Sequence, residues 1–323
     1  MASKRAKRTW LIVGILVVVA GLWITALTIS SFSRGFAGGY ARGAEVEELI
    51  VEEGDSPGKV VIINVIGEIY SDPDGTARGA TDTNIIAQLE KAEDDPNVEA
   101  IILNVDSPGG GVLASDAIYN KVREVNQDIP VVALMGDTAA SGGYYISAGA
   151  SEIVAHRFTW TGSIGVIAMI PNFTDAADKL GITITTVKSG ALKDIGSPFR
   201  EITEEERALF QELIDEAYSG FVEVVAEGRE LPDARVRELA DGRIYSGNQA
   251  RELGLVDHLG DRDTAFERAK DLAGNEDATL VIYQQVTGLF DSLRLFGARN
   301  PAAELKSELG IQRKPGAAYL WVP

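Results

Sequence analysis

Hydrophobic positions along this chain follow two distinct patterns. Thr9 to Ser33 carries no charge, and Trp10–Ser30 reads WLIVGILVVVAGLWITALTIS. A helix needs about 20 apolar residues to cross a hydrocarbon core, so the pattern predicts one transmembrane helix over residues 10–31. Trp10 gives it an interfacial aromatic, and Lys4, Arg5, Lys7 and Arg8 precede it. Basic flanks stay on the cytoplasmic side, which puts residues 1–9 in the cytoplasm and the rest outside the cell, on a single-pass membrane anchor. A cleaved signal peptide is the competing reading, but its apolar region runs only about 7–15 residues. Phe36-Ala37-Gly38-Gly39 is a weak cleavage site. Residues 32–57, with several glycines and Glu45, Glu47, Glu48, Glu52 and Glu53, read as a stalk with little periodicity, in part helical.

The second pattern begins at residue 58. Val60–Ile66 (VVIINVI) and Val98–Val105 (VEAIILNV) are short, continuous and β-branched, as in strands buried on both faces. Between them Ile85, Ile86 and Leu89 fall at helical spacing in Thr81–Asp94, with Thr81 or Asp82 able to cap. Val131–Met135, Glu152–Ala155, Ile182–Val187 and Ala278–Val286 are further strand candidates. Asp116–Val125 is a helix, and Thr203-Glu204-Glu205-Glu206 is a capping box opening a long helix to about Glu227. Pro232 starts a short helix; Ser246–Leu253 and Asp263–Leu272 end at Gly254 and Gly274. This alternation predicts an α/β fold with a mainly parallel sheet over residues 58–286. Residues 287–323 form a weakly patterned tail ending Ala-Ala-Tyr-Leu-Trp-Val-Pro.

Composition narrows the chemistry. The 323 residues include 48 acidic and 30 basic side chains, no cysteine, and only His156 and His258. The net charge of −18 opposes nucleic-acid binding, which needs a basic footprint. Without cysteine there is no disulfide, thiol nucleophile or zinc–cysteine site. Two histidines leave little for a metal centre or a histidine-based triad. Residues 1–34 hold five basic groups and no acidic one, so the remainder has 25 basic against 48 acidic, or −23.

Three glycine-rich segments could carry a reaction. Asp106-Ser107-Pro108-Gly109-Gly110-Gly111 follows a buried strand and precedes a helix, leaving amides free for an anion or an oxyanion. It matches neither nucleotide fingerprint, Gly-x-x-x-x-Gly-Lys-Ser/Thr or Gly-x-Gly-x-x-Gly; a ligand-free turn is the plain alternative. In Ala139-Ala140-Ser141-Gly142-Gly143-Tyr144-Tyr145, Ser141 is either a helix N-cap or an uncrowded nucleophile beside the Gly142 amide. The third segment, Lys188-Ser189-Gly190-Ala191-Leu192-Lys193-Asp194-Ile195-Gly196-Ser197-Pro198, offers a base, because a desolvated lysine can be neutral. A solvated surface lysine is the ordinary reading. His156 and His258 are expected to be structural.

Taken together, SPGGG (Ser107–Gly111), AASGGYYIS (Ala139–Ser147), TGSIGV (Thr161–Val166) and KSGALKDIGSP (Lys188–Pro198) closely resemble the signal peptide peptidase A family, over roughly Val60 to Leu272. The resemblance implies a membrane-anchored serine peptidase of the short form, with one catalytic unit per chain and a Clp protease/crotonase-like α/β fold. By motif it implies Ser141 as nucleophile and Lys193, fifty-two residues on, as general base, with Lys188 the neighbouring alternative. It likewise implies that Ser163 orients the lysine and that Gly110 and Gly142 supply the oxyanion-hole amides. It needs no metal or cofactor. The implied substrates are cleaved signal peptides and other apolar, unstructured peptides. The implied assembly is a homo-oligomeric ring of eight, with serine and lysine from neighbouring subunits.

Three rivals remain: a crotonase-like acyl-CoA enzyme sharing fold and oxyanion hole, a non-catalytic membrane-tethered peptide-binding ring, and a relative of the stomatin-associated serine peptidases. The apolar tail Ala317–Pro323 could occupy the groove as a self-ligand, be trimmed, or pack loosely.

Overall fold

The structure is a computed structural model that describes residues 46–72, 79–285 and 318–320. The transmembrane segment expected over residues 10–31 lies outside the described residues, as does most of the tail; among the described residues no helix is long and apolar enough to cross a membrane.

In chain order the strands are β1 (Val46–Glu52), β2 (Lys59–Ile66), β3 (Val98–Ser107), β4 (Gly109–Gly111), β5 (Val131–Ala140), β6 (Glu152–Ala155), β7 (Trp160–Gly162), β8 (Ile244–Ser246), β9 (His258–Leu259), β10 (Thr279–Gln285) and β11 (Ala318–Leu320). The helices are α1 (Asp82–Asp94), α2 (Val112–Val125), α3 (Gly142–Ser147), α4 (Thr174–Lys179), α5 (Glu204–Gly228), α6 (Asp233–Leu239), α7 (Gly247–Glu252) and α8 (Arg262–Ala273). One sheet runs β1-β10-β2-β3-β5-β6-β9, with β7 on β5 and β8 on β7. Every pairing from β10 to β9 is parallel; β1 joins β10 and β8 joins β7 antiparallel.

The continuous apolar strands follow from burial on both faces. Val61, Ile63 and Val65 face a core closed by Ile85 and Leu89 of α1, Ile118 and Val122 of α2, and Phe221 and Val225 of α5. Val60 and Ile62 face the other way, onto Ala265, Phe266 and Ala269 of α8. The result is a helix–sheet–helix layering with alternate residues of one strand serving two cores.

Three expectations change. Val46–Glu52, read as stalk, is an edge strand, tied through Lys59 to Glu48 and Asp95 at 3.0 Å each. Ile182–Val187 is not a strand: it has no regular structure, and Ile182, Ile184 and Val187 are exposed, the last at 95%. Its β-branched run had no neighbouring strand to pair with, and β-propensity without a ladder does not make one. The helix read as Asp116–Val125 begins earlier, at Val112, directly after the glycines.

Candidate active site

Strands β3 and β5 end side by side, with Ser107 opposite Ala139, and both glycine-rich segments start there. After β3, Ser107 Oγ accepts a hydrogen bond from the Gly109 amide at 3.1 Å, and Gly109 takes φ 100°. Ile69 then grips β4: its amide donates to Gly109 O and its carbonyl accepts from Gly111 N, each at 2.8 Å. Because backbone groups alternate sides along a strand, the N–H of Gly110 faces the opposite edge. Only glycine fits at that position, since a Cβ on Gly110 would lie 1.8 Å from Ile69 O.

After β5 the chain turns sharply into α3. Ser141 holds φ 54° and ψ −117°, outside the relaxed range for a residue with a side chain. Its amide donates to Gly162 O at 2.8 Å and its carbonyl accepts from Tyr145 N at 2.8 Å. Its side chain makes no capping bond, so the cap alternative falls away. The turn is held from behind by a buried helix. Tyr144 OH donates to Leu255 O at 2.9 Å, and burial pushes its phenol pKa upward. Tyr145 OH donates to Asp116 at 2.8 Å while its ring packs on Tyr119 and Phe221.

Gly142 follows at once, in the first turn of α3, where amides have no intrahelical acceptor. A Cβ on Gly142 would lie 3.1 Å from Gly110 N, so the two glycines share one small space next to Ser141. Ser163 is brought alongside by strand pairing: Ala140 is opposite Gly162, and Ser141 and Ser163 are the residues that follow. Thr161 Oγ1 donates to Ala139 O at 2.6 Å, and Ser163 N donates to Arg243 O at 2.8 Å with φ 50° at Ser163. Beside Ser163 lies a cavity of about 570 Å3 lined by Val166, Ile167, Met169, Ile214 and Tyr218 among others.

Lys193 stands elsewhere in the chain. It is exposed, and among the described residues no hydrogen bond or ion pair engages its ammonium. Its turn is docked on the start of α5. Arg200 donates to both carboxylate oxygens of Asp194 and to the Asp194 main-chain carbonyl at 2.9–3.0 Å, and to both carboxylate oxygens of buried Glu206. The Arg200 guanidinium, with Lys188, holds the Asp194 carboxyl well below its usual range. Arg200, then the Thr203 amide, lowers Glu206 to about 2. Lys188 is committed to Asp194 at 2.6 Å and Ala191 O at 2.8 Å. The Ser163 cavity meets α5 at Gln211 to Tyr218, about 8 to 18 Å along the axis from Glu206 at 1.5 Å per residue. One chain gathers Ser141, Ser163, Gly110 and Gly142, and among the described residues no hydrogen bond joins Lys193 to them.

The histidines are not partners of Ser141. His258 contacts Glu152 at 3.2 Å, and His156 packs edge-on against Phe158. Ile69 and Arg200 went unnoticed in the sequence; an isoleucine in an apolar stretch and an arginine before a capping box give no signal of these contacts.

Comparison with known proteins identifies the family. Residues 123–276 match the profile of Peptidase family S49, and residues 74–167 that of Clp protease. A protein of Enterococcus faecium bearing the name signal peptide peptidase SppA is 39% identical over 306 residues, covering 88% of this chain and 87% of its own. The chain belongs to peptidase family S49. A Synechocystis relative named as a protease is 42% identical over 67% of this chain and 75% of its own. The chloroplastic serine protease SPPA of Arabidopsis thaliana is 34% identical over 66% and 32%. As an S49 member the chain is a serine peptidase with a Clp protease/crotonase-like α/β fold.

One further contact bears on how S49 chemistry meets a peptide. Residues Ala318–Leu320 pair antiparallel with β4, Tyr319 opposite Gly110. The chain's own terminus thus occupies the edge toward which the Gly110 amide faces.

Proposed function

We propose that this peptidase cleaves peptides by a Ser141/Lys193 dyad completed between neighbouring copies of the chain. The observation that carries this reading is the strained Ser141, not used as a cap, with the Gly110 and Gly142 residues against it. Lys193 as a free amine removes the Ser141 hydroxyl proton while Oγ attacks the scissile carbonyl. The developing oxyanion is held by the Gly110 and Gly142 amides. Protonated Lys193 then gives its proton to the leaving amine, and water repeats the sequence on the acyl-enzyme. Ser163, beside Ser141, receives and orients the lysine amine.

Supply of Lys193 by a neighbour is supported by its exposed position, with no hydrogen bond or ion pair to its ammonium among the described residues, and by the exposed apolar arm that carries it. Met169, Phe173, Leu180, Val187 and Phe199 all lie open on that arm, a surface suited to burial in a ring of copies. Peptide substrates are supported by β11, which lies on β4 as an extended peptide would. The Ser163 cavity, where Val166, Ile167, Met169 and Ile214 stand beside Gln211, Asp215 and Asp241, offers apolar contacts to unstructured peptides such as released signal peptides, and residues 10–31 would anchor the enzyme where those peptides appear, with its body outside the cell.

The detergent-solubilised full chain should hydrolyse an apolar signal-peptide substrate and be labelled at Ser141 by a fluorophosphonate probe. Ser141→Ala should lose labelling and hydrolysis, and Lys193→Ala at least about a thousandfold of kcat/KM. Full activity in Lys193→Ala would overturn the dyad.

A further inference from the structure

Behind the paired glycines sits a hydroxyl that nothing else in the fold uses. Ser115, in the first turn of α2, is fully buried, and its Oγ has no hydrogen-bond partner. Buried hydroxyls are rarely left so. A helical serine ordinarily returns its proton to the carbonyl three or four residues back, as Ser147 does to Gly143 O at 2.8 Å. Ser115 does not, although Gly111 is four residues away.

Its position accounts for the exception. A Cβ on Gly142 would sit 2.5 Å from Ser115 Oγ, 3.1 Å from Gly110 N and 3.2 Å from Gly109 Cα. The hydroxyl and the Gly110 amide thus both lie against the Gly142 backbone, one residue from Ser141. Glycine at 142 is what permits this close approach, since a side chain there would collide with the Ser115 hydroxyl.

We infer that Ser115 is a third donor of the oxyanion hole, its hydroxyl turning onto the oxygen that gains charge between the Gly110 and Gly142 amides. The inference rests on the reading of those two glycines given above. A hydroxyl with no resting partner breaks no bond when it turns, so its interaction is realised in the transition state and not in the ground state. No bond is made or broken by Ser115; it donates its hydrogen bond and keeps its proton.

Ser115→Ala and Ser115→Cys in the full-length protein test this, the cysteine keeping a γ-atom, bulkier than oxygen, as only a weak donor. Removing one donor from such a site costs about 100- to 1000-fold in kcat. Both variants should lose at least about tenfold in kcat with KM unchanged. They should bind a peptide aldehyde, which forms a tetrahedral adduct on Ser141, correspondingly less tightly. Affinity for a product peptide should not change, and the melting temperature of Ser115→Ala should equal or exceed that of the parent. Parental kcat and aldehyde affinity in either folded variant would overturn the inference, as would equal losses of aldehyde and product-peptide affinity. If the parent itself escapes fluorophosphonate labelling, the reading of Ser141 fails and the inference with it. A labelled parent beside unaffected variants removes Ser115 alone.

Discussion

Gly110 cannot carry even a methyl group, because Ile69 O occupies the place where a Cβ would go. Gly110→Ala must therefore push β4 away from Ile69, and the Gly110 amide moves with it. The expected result is a loss of at least about a hundredfold in kcat/KM, in the range for misplacing one oxyanion donor, with a lowered melting temperature; hydrolysis and calorimetry of the variant check both. Glycine enrichment at 109–111 was legible in the sequence, and so was the free amide that a strand-to-helix turn creates. The reason for the enrichment was not. It lies in Ile69, forty residues earlier, which meets β4 through a single parallel bridge, too local for any periodicity to reveal. Ser141 and Ser163 teach a similar lesson, since their positive φ values are imposed by paired strand ends and cannot be read from their neighbours.

At the level of elements, the capping box of α5 was read correctly: Thr203 Oγ1 accepts from Glu206 N at 3.2 Å, and Glu206 accepts from Thr203 N at 3.0 Å. Hidden in the same box was a second duty. Glu206 also receives Arg200, and Arg200 receives Asp194, so the helix start and the Lys193 turn form one ionic unit. Both carboxyls are lowered in the folded chain, Glu206 from 4.5 to about 2. Groups lowered on folding stabilise fully above their ordinary pKa and lose that contribution as pH falls toward the folded value. The melting temperature should therefore decline between pH 4.5 and about 2. Arg200→Met should melt lower at pH 6 and decline less over that interval; parallel melting curves against pH would contradict the clamp. Strands of two or three residues, such as β4, β7, β8 and β9, escaped the sequence reading because alternation needs about 4–8 residues to be recognised. Ile182–Val187 erred in the other direction, since its pattern was strand-like but its surroundings held no ladder.

For the whole molecule, strand–helix alternation sufficed to predict a parallel layered sheet, because burial on both faces leaves a strong signature. Assembly leaves a weaker one. The four motifs are legible one by one, but only the fold shows that Ser141 and Ser163 follow paired strand ends as neighbours. Co-assembly of Ser141→Ala with Lys193→Ala subunits follows as a test. If each site draws serine and lysine from adjacent copies of a ring, random equal mixing restores about a quarter of the parental rate; a dyad within one chain restores none.

The pairing of Ala318–Leu320 with β4 would give a peptidase that takes its substrate along that edge a built-in threshold. A covalently tethered strand presents itself at a local concentration fixed by the chain and not by the solution, on the order of millimolar for short linkers. A peptide that needs the same edge must displace it, so its apparent affinity is the intrinsic one multiplied by the fraction of sites the tail leaves free. Peptides with a few good contacts are turned away, and those that fill the strand edge and the neighbouring cavity gain entry. Selectivity would then reside partly in what the enzyme already holds.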